Sequence, residues 1–149
     1  MPNEAFVWGT RIKAVEREYV VARFAADRLD QQARENPEIL QGDLRLRDIR
    51  LLTDRLEGTY ILRVFAEFEQ GLRNYLRDFS LKVPKNAEPL NNKVRDKLPI
   101  ATDDADKVHE VRRSRNTLIH DDAAPAPPVP MREATRSLGT FMAWLQREW

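Results

Sequence analysis

The sequence predicts an all-α fold, an up-and-down bundle of four main helices plus a short additional helix, and three observations lead there. Apolar residues recur at alternating steps of four and three over long stretches, which puts them on one face of a helix. Prolines gather between those stretches, where a helix must stop. The 149 residues show no break in composition and are enough for one domain, 1–149, with its own core.

In the first element Trp8, Ile12, Val15, Tyr19, Ala22, Ala26, Leu29 and Ala33 share one side of a long amphipathic helix. It should end before Pro37, because proline disfavours helical geometry at the residue ahead of it, Asn36. The next stretch, DLRLRDIRLLTDRLEG, carries two patterns. Leu44 and Leu46 alternate as in a strand, whereas Leu46, Ile49, Leu52 and Leu56 follow a helical face, and helix is the expectation. In TYILRVFAEFEQGLRNYLRDF the signal is stronger: Ile61, Phe65, Phe68, Leu72, Tyr75 and Phe79 predict the central helix of the core.

SLKVPKNAEP reads as a loop, and LNNKVRDKLP as a short helix bounded by Pro89 and Pro99. Thr102 is the expected N-cap of the following helix, with Asp103, Asp104 and Asp106 near its positive end. AAPAPPVP cannot continue that helix and predicts an extended connector. The last helix shows its face in Met131, Ala134, Leu138, Phe141 or Met142, Leu145 and Trp149.

Composition removes several function classes. The 25 Lys and Arg nearly cancel the 24 Asp and Glu, so net charge does not announce a nucleic-acid partner, although a local basic face is compatible with it. Without cysteine there is no disulfide, no thiolate metal site and no Cys nucleophile. His109 and His120 are the only imidazoles, too few for a His-rich metal centre, and no cofactor or metal is expected. The five scattered glycines form neither a dinucleotide fingerprint nor a phosphate loop. Neither a membrane span nor a secretory leader is visible, since Arg23 interrupts YVVARFAA; a cytoplasmic location is the default expectation.

What remains is VRRSRNTLIHDD, 111–122. On a wheel of about 100° per residue with Val108 at zero, Val111 falls at about 300°, Leu118 at about 280°, Ile119 at about 20° and Arg115 at about 340°. Arg115 therefore points with the apolar residues. A guanidinium keeps its proton, so it needs a carboxylate, a polar interface or an anion. Glu69, at the border of the apolar stripe on the central helix, is the expected partner. His120 falls at about 120°, so it meets Arg115 only if the helix frays there or a second subunit shares the groove. Asn116, four residues before His120, is placed to orient the imidazole.

RNTLIH, with Arg115, Asn116 and His120, resembles the signature of the HEPN superfamily, R-x4-6-H near the end of a late helix, often with a polar residue after the Arg. Arg113 fits the looser spacing and is the alternative arginine. The order of elements, with a long first helix, an acidic residue in the middle helix (Glu69) and the motif helix before the last one, is similar to that family too. The resemblance covers most of the chain in architecture and about six residues in motif.

The resemblance implies a homodimer whose two Arg and His pairs meet in a cleft, and metal-independent endoribonuclease activity acting on RNA. Such proteins are often toxins with an antitoxin protein as partner, or parts of phage defence. The residue types agree with that chemistry. Cleavage through the RNA 2′-hydroxyl needs a base, an acid for the leaving 5′-oxygen and a cation on the transition state; imidazole and guanidinium supply these. His109 lies about 16 Å back along the same helix, so a second close histidine would have to come from a partner copy. Asp122 stands where some members carry a tyrosine used for regulatory nucleotide transfer, so that mode is not expected here.

Plainer roles stand beside these. His120 at a helix end suits a cap for the last carbonyls, the Arg115–Glu69 pair suits a purely structural tie, and His109 reads as a surface residue. Asp121 and Asp122 read as a solvated face. The cations Arg45, Arg47, Arg50, Arg55, Lys82, Lys85 and Lys93 suit either solvent or an RNA backbone. Trp8, Trp144 and Trp149 are expected as core or dimer contacts rather than base-stacking platforms. Against the ribonuclease stands a non-catalytic helical module that binds nucleotide, RNA or a protein partner, and beyond that a purely structural interaction protein.

Overall fold

The computed structural model describes residues 3–120 and 122–149. It is helical throughout: α1 (Glu4–Glu35), a single 3-10 turn (Pro37–Ile39), α2 (Leu46–Asp78), α3 (Ala87–Lys97), α4 (Thr102–Ile119) and α5 (Met131–Leu145). No strand occurs among the described residues, so the alternation of Leu44 and Leu46 is not realised.

Local chemistry sets the boundaries. The Asn3 side chain accepts hydrogen bonds from the Ala5 and Phe6 amides at 2.9 and 3.4 Å and so starts α1. Pro37 ends it, with Asn36 in extended geometry and its side chain accepting from the Glu38 amide at 3.2 Å. α2 begins where Asp48 accepts from the Arg45 amide at 2.8 Å, then runs 33 residues without a break. The two stretches read separately in the sequence are thus one helix, and Gly58 between them is no breaking point: a Cβ there would sit 3.1 Å from Leu118 Cδ2.

Two boundaries differ from expectation. α3 starts at Ala87, so Pro89 lies inside its first turn instead of bounding it; amides there have no intrahelical acceptor, and proline sacrifices nothing. The N-cap of α4 is Ala101, not Thr102. A tight turn, Ile100 N–H to the Leu98 carbonyl at 2.8 Å, brings the chain into helix one residue early.

Contacts fix the helix directions. Trp8 meets Gly71 and Arg23 Nη1 donates to the Thr53 carbonyl, so α1 and α2 are antiparallel. Arg115 meets Glu69 and Leu118 meets Gly58, so α4 runs antiparallel to α2. Trp144 Nε1 donates to Asp104 near the start of α4, and the Val129 amide donates to Ser114 Oγ, so α5 runs back along α4. Phe68 packs edge-on against Phe141 and Tyr75 against Trp149, which makes the diagonal pair α2 and α5 parallel. This is an up-and-down four-helix bundle with α3 laid against α2 and α4.

One contiguous core runs through it, with Ile12, Phe65, Phe68, Leu72, Tyr75, Leu90, Leu138 and Phe141 all essentially sealed from solvent. Trp8 is buried in it, and Trp144 and Trp149 pack against it, with Trp149 Nε1 donating to Asp78 at 2.7 Å. Helix α5 begins level with Ser114, and beyond that level the far halves of α1 and α2 pack chiefly on each other. Ala26, Ala33, Ile49 and Leu56 are buried between them, while Leu29 and Leu52, expected on buried faces, are exposed. The same geometry exposes Leu118 and Ile119, at 49% and 45%, in the last turn of α4 beyond the start of α5, with Leu118 still against Gly58 of α2. No helix among the described residues is long and apolar enough to cross a membrane.

A cationic cleft between α2, α3 and α4

Arg115 occupies the border of the buried face of α4, next to Ser114 and one turn after Val111, both buried. Its Nη2 donates to Glu69 Oε1 at 2.6 Å, and its guanidinium carbon lies 4.7 Å from the centroid of the Phe65 ring. The side chain is 16% exposed and that of Glu69 21%, so both charges are held at the wall of the bundle with one edge toward solvent. Arg115 Nε is buried without an acceptor. The pairing expected from the sequence is present, and a cation–π contact with Phe65 is added to it.

Glu69 has a second cation. Arg73, one turn on along α2, lies 3.5 Å from Glu69 Oε2 and donates through Nη1 and Nη2 to the carbonyls of Pro84 and Lys85, at 2.6 and 2.7 Å. One guanidinium thus ties the α2–α3 loop to the carboxylate that holds Arg115.

The result is a cleft of about 440 Å³ lined by Glu69, Lys85, Glu88, Arg112, Arg115, Asn116 and His120, with Asn86, Ala87 and Pro89 at the start of α3 forming the facing wall. α4 ends at Ile119 and His120 takes extended geometry, φ −127° and ψ 117°. That departure from the helix brings the exposed imidazole residue to the cleft that holds Arg115, as the wheel required. The connector then folds back on the helix end, with the Ala123 amide donating to the His120 carbonyl at 3.2 Å. Asp121 lies outside the described residues.

Asn116 is beside His120, but their link is a backbone one, His120 N–H to the Asn116 carbonyl at 2.9 Å. No hydrogen bond from the Asn116 amide to the imidazole joins the pair among the described residues. Arg113, the alternative arginine, is exposed and lines a neighbouring cleft with Asp106, His109, Glu110, Glu88 and Arg112. The reason is the helical step: two residues before Arg115 is about 200° around the helix.

The sequence reading missed Arg112. It is 14% exposed, lies 3.5 Å from Glu88 Oε2, and lines the Arg115–His120 cleft; like Arg115 it has a buried Nε without an acceptor. On the wheel used above it falls at about 40°, about 20° beyond Ile119 at the edge of the apolar stripe, and that was the signal available.

His109, read as a surface residue, is half-buried with its Nδ1 sealed and unpartnered. Burial, and next the Arg112 guanidinium, hold its pKa below the ordinary imidazole value. Of the cations considered for an RNA backbone, only Lys85 reaches the cleft. Arg47, Arg50 and Arg55 are exposed on the far half of α2 and Arg45 at its N-cap, and Lys93 donates to the Lys82 carbonyl. Among the described residues no group of three or more His, Cys, Asp or Glu side chains is arranged to hold a metal ion.

No protein-family model matches the chain, and no curated protein or solved structure is similar to it at a significant level.

Proposed function

We propose that the chain is an endoribonuclease of HEPN type that needs no metal, works as a homodimer and cleaves RNA at the cleft containing Arg115 and His120. The observation that carries this reading is the helix end: α4 stops at Ile119, and His120 comes to the same cleft as Arg115, Asn116 and Glu69. In this reading His120 exchanges the proton of the 2′-hydroxyl or of the leaving 5′-oxygen. Arg115, held by Glu69, places its free edge on the phosphate oxygens. The 2′-oxygen–phosphorus bond forms as the phosphorus–5′-oxygen bond breaks, leaving a 2′,3′-cyclic phosphate. A partner copy contributes the second histidine, and the exposed Leu118 and Ile119 beside the cleft suit the contact between copies. A role as toxin or phage-defence factor, with an antitoxin as partner, belongs to the same reading.

The test is incubation of the purified protein with labelled RNA in excess chelator. Cleavage with cyclic-phosphate ends, and no cleavage of a substrate with 2′-deoxy sugars, supports the reading; intact RNA at every concentration of protein contradicts it.

A second reading has its own observation. No side chain among the described residues orients the His120 imidazole, whereas Arg115 is firmly held. That suits a non-catalytic module that binds an RNA or nucleotide phosphate without turnover. Arg115→Ala then abolishes binding while His120→Ala leaves it intact.

A further inference from the structure

Arg112 and Arg115 are successive occupants of one edge of α4, a single turn apart, and both end in the cleft that holds His120. Each has a buried Nε with no acceptor, and a buried donor left unpaired is unfavourable. The carboxylates of the cleft do not match them. Glu69 is shared between Arg115 and Arg73, and Glu88, 58% exposed at the mouth, reaches Arg112 at only 3.5 Å. Lys85 pairs with neither carboxylate, and its backbone is fixed on the facing wall by the Arg73 bond to its carbonyl. Three cations, Arg112, Arg115 and Lys85, therefore line a cleft with two carboxylates, one of them also committed to Arg73.

We propose that Arg112 and Lys85 form a second phosphate-holding subsite in this cleft, which grips the phosphate next to the one at Arg115 and His120. The inference rests on the proposed ribonuclease site for its substrate class, a single-stranded ribonucleotide chain. One helical turn between the two arginines is the scale of one nucleotide step, so a strand lying along α4 offers successive phosphates to Arg112 and Arg115. Glu88 acts as a surrogate anion, yielding Arg112 when phosphate arrives. Arg112 is a binding residue here, and Arg73 a positioning residue that sets the Lys85 wall.

The test is calorimetric binding of a dinucleotide with a 2′-deoxy sugar at its internal linkage, in three forms: bare, 5′-phosphorylated and 3′-phosphorylated. One phosphorylated form should bind the wild-type protein about tenfold tighter than the bare form. Arg112→Ala should lose that gain, Arg112→Lys should keep part of it, and Glu88→Gln should enlarge it by removing the competing carboxylate. Arg115→Ala should weaken all three forms alike. The proposal is overturned if no terminal phosphate raises affinity, or if Arg112→Ala, shown folded by its melting curve, retains the full gain. No turnover is read, so a protein that cleaves nothing still gives an answer on Arg112. A protein that cleaves RNA but shows no phosphate gain defeats the subsite alone.

Discussion

Arg115 Nη2 and Glu69 Oε1 meet at 2.6 Å across 46 residues of sequence, and this bond joins the helix bearing His120 to the central helix of the core. Removing one partner leaves a charge stranded against Phe65. Glu69→Leu should therefore cost about 2 kcal/mol, below the value for a fully buried pair because both side chains keep an exposed edge. The double variant Glu69→Leu, Arg115→Met should recover at least half of that loss. Urea unfolding of the two variants and the wild type checks it, and a double variant as unstable as the single one would contradict the account of the pair.

Glycine substitutions should split by position. A Cβ at Gly71 would lie 2.8 Å from Met142 Cε and 3.1 Å from the Trp8 ring, so α1, α2 and α5 meet there too closely for a methyl. Met142 is able to swing its tip away, but the buried indole is not. Gly71→Ala should lower stability by about 1–3 kcal/mol despite its gain in helix propensity. Gly139 has nothing within 4 Å of a new Cβ, and Gly139→Ala should raise stability by about 0.5–1 kcal/mol. Thermal melts of the two variants, read as opposite shifts in Tm, make the comparison.

Acid should act through His109. Burial, with Arg112 next, holds its folded pKa below the unfolded value, so below about pH 6.5 the unfolded chain takes up a proton that the fold resists. Stability contributed by the neutral imidazole is complete above that pH and is lost as pH falls through the window below it. His109→Gln should flatten this part of the stability curve and leave pH 8 stability nearly unchanged. Denaturant midpoints from pH 8 to pH 5 report it, and parallel curves for variant and wild type would argue against the burial of this ring.

Much of this was legible because it is local. The four-and-three spacing of Ile61, Phe65, Phe68, Leu72 and Tyr75 marks a helix whatever surrounds it, and Pro37 stops α1 by its own geometry. The Arg115–Glu69 pairing followed from a cation that cannot shed its charge beside an apolar stripe. What escaped depends on where other elements begin. Leu118 and Ile119 fit the stripe by angle, yet α5 starts level with Ser114 and leaves them exposed. The packing of Gly58 was not legible either, because its partner, Leu118, lies 60 residues away in a different helix. Arg112 and Arg113 differ by one step in sequence, and the roughly 100° between them on α4, together with the placement of α3, puts Arg112 in the cleft of Arg115 and His120. His120 lies past the last residue of α4, and the periodicity of α4 carries no information about the direction of its imidazole.

The most direct measurement of the central claim is the single-turnover cleavage rate of RNA in chelator for wild type, His120→Ala and Arg115→Ala, each shown by its melting curve to be folded. The account predicts that each substitution lowers the rate by at least about a hundredfold, with RNA binding retained by His120→Ala and weakened in Arg115→Ala. A folded His120→Ala protein that cleaves at the wild-type rate would contradict it.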